Sequence, residues 1–274
     1  MPHQPAQPGR PTADIGVIGG SGFYALSDEL TDIVVDTPYG PPSDPLSVGT
    51  VGGRRVAFLA RHGREHQLPP HRVPYRANLW ALHSLGVRQV LAPCAVGSLR
   101  PELGPGALVV PDQLVDRTSG RASTYFDGPT VHHASFADPF CPRLRAQALS
   151  EARAGSWAVT DGGTMVVIDG PRFSTRAESR WYASAGWSLV NMTALPEAAL
   201  ARELGMCFSS VALVTDRDAG VEDADHPSVT QAEVFSFFAA NVARLRTLIG
   251  GIVARLPDGG QLECDCAADA PPLA

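Results

Sequence analysis

Asp216 and Asp218, two apart in Leu-Val-Thr-Asp-Arg-Asp (213–218), are the residues in this chain best suited to chemistry. They follow the apolar, β-branched run Met206–Val214, which predicts a buried strand. Open α/β sheets bind small molecules just beyond the carboxyl ends of their strands. Two acids there can accept from an exocyclic amine and, with one protonated, donate to a ring nitrogen. That pairing suits an adenine edge. Crowded carboxyls also push one pKa upward, as a general acid requires. Taken alone, the pair also fits a solvated Asp-x-Asp turn or part of a divalent-metal site.

Five other expected strand ends carry polar or aromatic groups. Ile18-Gly19-Gly20-Ser21-Gly22 follows the first apolar run, and its backbone N–H groups with the Ser21 hydroxyl suit a free phosphate. Gly20-Ser21-Gly22-x-x-Ala25 also fits a dinucleotide fingerprint, but no helical period follows before Asp36-Thr37-Pro38. Arg61 in Leu-Ala-Arg-His-Gly-Arg-Glu-His (59–66) offers a bidentate fork to phosphate, with His62 as a further donor. His62 and His66 have a metal-like spacing, yet Gly63, Pro69 and Pro70 argue against a ligand-bearing helix. Cys94-Ala95-Val96-Gly97-Ser98 allows close backbone approach at Gly97. Asn191-Met192-Thr193 precedes a helix that Thr193 can cap, or where it can bind an anion. Phe173, in Gly-Pro-Arg-Phe-Ser (170–174), offers a face for base stacking.

The elements that must position these groups alternate. Strands are expected at 15–18, 46–51, 55–60, 89–96, 108–114, 164–168, 188–191 and 206–214, with a two-residue turn at Gly52-Gly53. Helices are expected at 75–85, 142–154, 175–185, 196–204 and about 230–256, two of them opening with Thr-x-x-Glu capping boxes. The last repeats Val234, Phe238, Val242, Leu245, Ile249 and Ile252 at helical spacing, which reads as core packing. No linker interrupts the alternation, so the 274 residues read as one α/β domain. The Pro-, Gly- and Ala-rich segments 1–13 and 257–274 read as disordered tails. The hairpin and the irregular stretch 117–140 favour a mixed sheet.

All 22 basic residues are Arg, so lysine Schiff bases and P-loop lysines are excluded. A net charge of −6 with no basic stripe argues against nucleic acid as a partner. Five cysteines, Cys94, Cys141, Cys207, Cys264 and Cys266, are odd in number and scattered, unlike a secreted disulfide framework. Cys264-Asp-Cys266 can bind metal or close a local disulfide, but it has no nearby His and reads as incidental. With no apolar run of membrane-spanning length and no signal peptide, a cytoplasmic protein without a membrane partner is expected.

In these motifs the chain resembles the methylthioadenosine phosphorylases of the trimeric purine nucleoside phosphorylase family. The matching stretches are Gly-Val-Ile-Gly-Gly-Ser-Gly (16–22), Asp-Thr-Pro-Tyr-Gly-x-Pro-Ser-Asp (36–44), Leu-Ala-Arg-His-Gly-Arg-x-His (59–66) and Gly-Ser-Leu-Arg (97–100). Asp-Gly-Pro-Arg-Phe-Ser-Thr-Arg-Ala-Glu (169–178), Asn-Met-Thr-x-x-Pro-Glu (191–197) and Ala-Leu-Val-Thr-Asp-Arg-Asp (212–218) complete them. The resemblance implies a nucleoside phosphorylase-like fold over 14–256, a mixed central sheet flanked by helices. It also implies a homotrimer that needs no metal or organic cofactor and uses inorganic phosphate as co-substrate. By position, Ser21, Arg61, His62, Cys94 and Thr193 would contact phosphate. Ala95, Gly97, Phe173, Met192, Asp216 and Asp218 would line the base and ribose site, with Asp216 and Asp218 catalytic. His66, His133 and Val229 would border the pocket for the 5′ group, His133 reaching into a neighbouring subunit's site.

Two departures stand out. The family usually has Thr where this chain has Cys94, and Ala219-Gly220 replaces bulkier residues, which is expected to enlarge a pocket wall. The implied reaction is phosphorolysis of 5′-methylthioadenosine, or a related 5′-substituted 5′-deoxyadenosine, to adenine and the 5-substituted ribose 1-phosphate. Alternatives are a phosphorylase for 5′-halo-5′-deoxyadenosine, 5′-methylthioinosine or 6-oxopurine nucleosides. From other classes, an NAD-binding dehydrogenase and a non-catalytic nucleoside-binding protein remain.

Overall fold

The computed structural model describes residues 12–27, 29–221, 229–257, 263–268 and 270. Its strands are β1 (Ile15–Gly19), β2 (Thr31–Ile33), β3 (Leu46–Val51), β4 (Arg54–Ala60), β5 (Gln89–Ser98) and β6 (Leu108–Val110). They continue with β7 (Gln113–Arg117), β8 (Val159–Asp161), β9 (Thr164–Ile168), β10 (Leu189–Asn191) and β11 (Cys207–Arg217). The helices are α1 (Tyr75–Ser84), α2 (Pro142–Ala154), α3 (Arg176–Ser184), α4 (Ala194–Glu203) and α5 (Gln231–Arg255). All eleven strands join one mixed sheet, ordered β2-β3-β4-β1-β5-β10-β9-β7 along one path, with β11 pairing β5 and β6, and β6 pairing β8. Strand β1 is buried throughout and β11 from Cys207 to Thr215, because both of their faces are covered.

The path forks at β5. Residues Gln89–Leu91 pair in parallel with β1, and Gly97–Ser98 pair antiparallel with β10. On that edge, residues 92–96 have no strand partner, while β11 runs along the opposite edge from Gln89 to Ser98. The fork therefore leaves backbone N–H and C=O groups of β5 facing an opening between β1 and β10. A bulge in β11 falls between Val214 and Asp216, opposite Val96 and Gly97.

Helices α2 and α5 cover one side, packing Leu144, Ala148, Leu245, Ile249 and Ile252 against Val56, Leu91, Val211 and Leu213. Helices α1 and α4 cover the other, with Leu79, Leu82, Leu200 and Ala201 against Leu59, Val90 and Phe208. By length and composition α5 would suffice to cross a membrane, contrary to the expectation that no such run exists. Its Val234, Phe238, Leu245, Ile249 and Ile252 are nevertheless buried in this core. Both expected capping boxes close: Thr175 accepts from the Glu178 N–H and Thr230 from the Glu233 N–H, with the glutamates bonding back.

Several expectations need adjustment. The strand expected at 108–114 divides into β6 and β7 at Pro111-Asp112, since proline lacks the N–H that a continuous ladder requires. The three-residue strands β2 and β8 are too short and polar to show a period. The helix expected from Pro196 begins at Ala194, with a non-helical residue at Leu195. Inside the expected tails, Ala13 is buried and donates to the Leu85 carbonyl at 3.0 Å. Residues 265–267 form a short 3₁₀ turn that buries Cys266. The expectation for residues 1–11, 258–262, 269 and 271–274 lies outside the described residues.

Candidate active site

A cavity of about 330 Å³ opens at the fork in the sheet. It is lined by the turn after β1 (Gly20, Ser21), the end of β4 (Arg61, His62), residues Cys94–Gly97 of β5 at the fork and the ends of β9, β10 and β11. Strand ends remote in sequence thus converge because β5 borders all of them except β4 and β9.

One wall is cationic. Arg61 is buried, and Glu197 on α4 accepts from its Nε at 2.5 Å and from its Nη2 at 2.9 Å. This bidentate clamp fixes the guanidinium plane and leaves Nη1 as its remaining edge, near Gly20. Burial raises the Glu197 carboxyl while the guanidinium pulls it back down; the two-pronged geometry favours the ionised pair. At Gly22 the turn takes φ +83°, a conformation that glycine alone adopts freely, and Phe23 N–H closes it onto the Gly20 carbonyl at 3.0 Å.

His62 differs from the expected donor. Its Nδ1 lies 2.8 Å from the Leu68 carbonyl, which can only accept, so Nδ1 carries the proton and Nε2 is a lone-pair acceptor. Burial, then the Arg61 charge, pushes its pKa down to about 3, so the ring is neutral at physiological pH. His66 holds the left-handed conformation at φ 55°, pairs its Nδ1 with the Tyr24 hydroxyl at 3.0 Å, and meets Phe235 edge-on at 5.0 Å. The segment is a turn, as its glycine and prolines require. Among the described residues no metal-type cluster includes these histidines.

Thr193 stands at the N-cap of α4 but makes no capping bond. Asn191 Oδ1 accepts from the N–H groups of both Thr193 and Ala194 at 2.8 Å instead. That substitution leaves the Thr193 hydroxyl to the cavity. Beside it, the buried Cys94 thiol is pushed up to about 12 by desolvation and is therefore neutral. Arg121, from the irregular stretch, braces this rim by donating to the carbonyls of Met192 at 2.7 Å and Asp169 at 2.6 Å.

The opposite wall is acidic. In an unbroken strand, neighbouring residues face opposite sides, yet Thr215 and Asp216 both line the cavity, together with Asp218. The bulge supplies this change of phase. Desolvation raises the Asp216 carboxyl to about 6, against a 2.7 Å bond from the Thr215 hydroxyl and with a smaller contribution from Asp218. The leading cause is thus burial rather than the expected carboxyl crowding. Burial also raises Asp218, whose Oδ2 is enclosed without a hydrogen-bond partner. The nearby Ser174 hydroxyl is likewise buried and unpartnered, although it and Ser179 lie close enough to polarise that carboxyl. Such orphaned groups await a ligand. Gly97 makes room for both acids: a Cβ there would lie 3.0 Å from Asp216 Oδ2 and 3.5 Å from Asp218 Cβ.

The cavity gathers Ser21, Arg61, His62, His66, Cys94, Ala95, Gly97, Phe173, Met192, Thr193, Asp216 and Asp218. His133 and Val229 are not among its lining residues, and His133 is exposed. In their place, Gln231, Val234 and Phe235 from the first turns of α5 close the side near His66. The expected wider wall at Ala219-Gly220 is absent. These residues turn outward against α3, where Gly220 N–H donates to Ser179 Oγ at 3.0 Å and a Cβ would meet the Arg176 carbonyl at 2.8 Å. Glu197 and Asn191 had no role assigned from sequence, though both lie in the 191–197 motif.

At its strand ends the mixed α/β sheet carries a polar cavity, cationic on one wall and acidic on the other, an arrangement suited to an enzyme acting on a small anion and a hydrogen-bonding co-substrate. Residues 14–254 match the phosphorylase superfamily, and the chain belongs to that family. It is 61% identical over 264 residues to a purine nucleoside phosphorylase of Streptomyces coelicolor, covering 93% of this chain and 94% of that one. It is 62% identical over 236 residues to an S-methyl-5′-thioadenosine phosphorylase of Mycolicibacterium smegmatis, covering 86% and 88%. Among solved structures, a methylthioadenosine phosphorylase from an Antarctic soil metagenomic library superposes with a TM-score of 0.87 at 38% identity, covering 95% of this chain and 92% of that one. The Schistosoma mansoni enzyme in complex with adenine gives 0.84 at 38%, covering 89% and 91%.

Proposed function

We propose that this protein catalyses phosphorolysis of 5′-methylthioadenosine, releasing adenine and 5-methylthioribose 1-phosphate. The observation that carries the reading is that Arg61 and Asp216 line a single cavity. Phosphate held by Arg61 Nη1, Ser21, Thr193 and the glycine turn attacks C1′ as the glycosidic bond breaks. Proximity and the phosphate charge beneath the developing oxocarbenium ion supply much of the acceleration. His62 Nε2, its lone pair free, accepts a hydrogen bond from the P–O–H of a monohydrogen phosphate. Asp216, protonated, donates to N7 so that adenine leaves neutral, an effect of roughly a hundredfold or more. Asp218 Oδ2 accepts from the 6-amino group. Inorganic phosphate is the co-substrate, and the charges that develop are met by side chains without a metal or organic cofactor.

The 5′-methylthio group is assigned to the wall of His66, Val234 and Phe235, whose aromatic edges suit a thioether. His133, exposed outside its own chain's cavity, is proposed to complete a neighbouring subunit's 5′ pocket in a homotrimer, with Val229 at its border. The proposed reaction, which frees adenine and a methylthio sugar phosphate, would serve purine and methionine salvage, and a cytoplasmic location is proposed with it. The Streptomyces relative's name keeps a broader purine nucleoside specificity as the second reading. The deciding assay incubates the protein with methylthioadenosine, with and without phosphate, and follows free adenine. Release only with phosphate supports the proposal; inosine as the better substrate favours the second reading. No phosphate-dependent release from any 5′-substituted adenosine would leave a nucleoside-binding protein.

A further inference from the structure

Far from the cavity, the cysteines that look scattered along the chain converge. Cys141 at the N-cap of α2, Cys207 at the first residue of β11, and Cys264 and Cys266 on the terminal 3₁₀ turn bring four sulfurs within 4.8 Å of one another. Cys207 and Cys264 approach to 3.3 Å. Four thiolates around a zinc ion at about 2.3 Å stand about 3.8 Å apart in a tetrahedron, a spacing these distances bracket. The cluster lies at the opposite end of β11 from Asp216, about 30 Å away at the rise of an extended strand.

Charge supplies the second observation. Arg143 donates from Nη2 to Gln89 Oε1 at 2.7 Å and lies 3.7 Å from Cys207 Sγ, while its Nε and Nη1 are buried with no partner. A guanidinium enclosed with unused donors beside four neutral thiols is costly. Four thiolates on a divalent cation carry a net charge of −2, which Arg143 and the N-terminus of α2 would offset.

We propose that Cys141, Cys207, Cys264 and Cys266 form a structural site for a soft divalent cation, zinc in the cell, that fastens the C-terminal segment to the base of the sheet. Binding converts four thiols to thiolates and releases four protons to solvent, with no change in oxidation state. A pair of disulfides would use the same sulfurs but needs an oxidant to accept four electrons.

The test measures zinc in protein purified under reducing conditions without chelator. One zinc per chain is expected, falling at least tenfold in the Cys264→Ser/Cys266→Ser variant and unchanged in Cys94→Ser. The double variant should melt several degrees lower while its phosphorolysis at 25 °C stays within twofold, because neither residue touches the cavity. Should that variant fail to fold, wild-type apoprotein titrated with cobalt provides the second measurement. Thiolate-to-cobalt charge transfer saturating at one equivalent supports the site. Reduced protein that takes up neither zinc nor cobalt would overturn it. So would a zinc-free chain from cells with two or four of these thiols missing from alkylation and a mass 2 or 4 Da low, which would assign the cluster to disulfides.

Discussion

Glu197 grips Arg61 from below, accepting at 2.5 and 2.9 Å, with neither side chain more than 1% exposed. In the proposed reaction, phosphate at Nη1 would meet a guanidinium that cannot swing away. Removing either partner strands an uncompensated charge, at a cost of about 3–5 kcal/mol. Arg61→Ala and Glu197→Ala should each lower thermal stability sharply, whereas Arg61→Met with Glu197→Met should recover more than half of the loss, since paired apolar replacements satisfy the same space. Phosphate-dependent turnover should remain abolished in all three. A double variant that still saturates with phosphate in the wild-type range would remove Arg61 from the phosphate site.

In the proposed mechanism the two acids set base choice. With Asp216→Asn, the side-chain amide donates to N7 weakly and cannot give up a proton, so adenine-nucleoside cleavage should fall at least a hundredfold. Inosine-type substrates should gain relative to adenosine types, because an amide can serve a 6-oxo group. Specificity constants for paired nucleosides measure this. Unchanged selectivity in the variant would exclude Asp216 as the proton donor.

In the proposed mechanism the same residue fixes a pH dependence. Its carboxyl is raised to about 6, so the protonated, competent form of the free enzyme declines about tenfold per unit above that pH. Dividing the wild-type kcat/KM by that of Asp216→Asn cancels the ionisation of phosphate, and the ratio should fall from pH 6 to 8. His62, held near 3, adds no inflection in this range. A ratio flat from pH 5 to 8 would contradict the assignment.

Much of this cavity was legible because strand ends announce themselves locally. The apolar run into Asp216, the glycine turn after β1 and the arginine after β4 each break a periodic pattern at the residue that matters. What stayed hidden depends on partners distant in the chain. Glu197 reads as an ordinary helix acid, and its meaning comes from an arginine 136 residues away. The bulge that turns both Thr215 and Asp216 inward depends on register with β5, which no local pattern carries. Thr193 was legible as a candidate cap, but Asn191, whose Oδ1 accepts from two N–H groups, displaces it. The cysteines followed the same rule: only the path of β11 and the terminal turn brings Cys207 to Cys264.

Gly97 shows how tightly the acids are seated. A methyl at this position would sit 3.0 Å from Asp216 Oδ2, closer than nearly all real Cβ contacts. Gly97→Ala should therefore displace the carboxylate rather than the strand, because Gly97 pairs on both sides with β10 and β11. The expected result is a KM for nucleoside raised tenfold or more with melting temperature within a few degrees of wild type. Equal losses in phosphate and nucleoside affinity would point to general collapse of the fork instead.

Cys94 offers the converse experiment, an improvement. Its thiol is neutral and buried against the cationic wall, a weak donor where a hydroxyl would be a strong one. Cys94→Thr introduces an O–H of similar bulk on the stretch of β5 whose β1–β10 edge has no strand partner. A hydrogen bond to a charged phosphate contributes about 1.5–3 kcal/mol, so the KM for phosphate should fall tenfold or more, with kcat for methylthioadenosine little changed. Thermal stability separates the outcomes. If the hydroxyl finds no partner in the free enzyme, melting temperature drops without phosphate and recovers as phosphate is added, which is linkage to binding. A variant that loses stability with and without phosphate, and gains no affinity, would place the Cys94 side chain away from the anion.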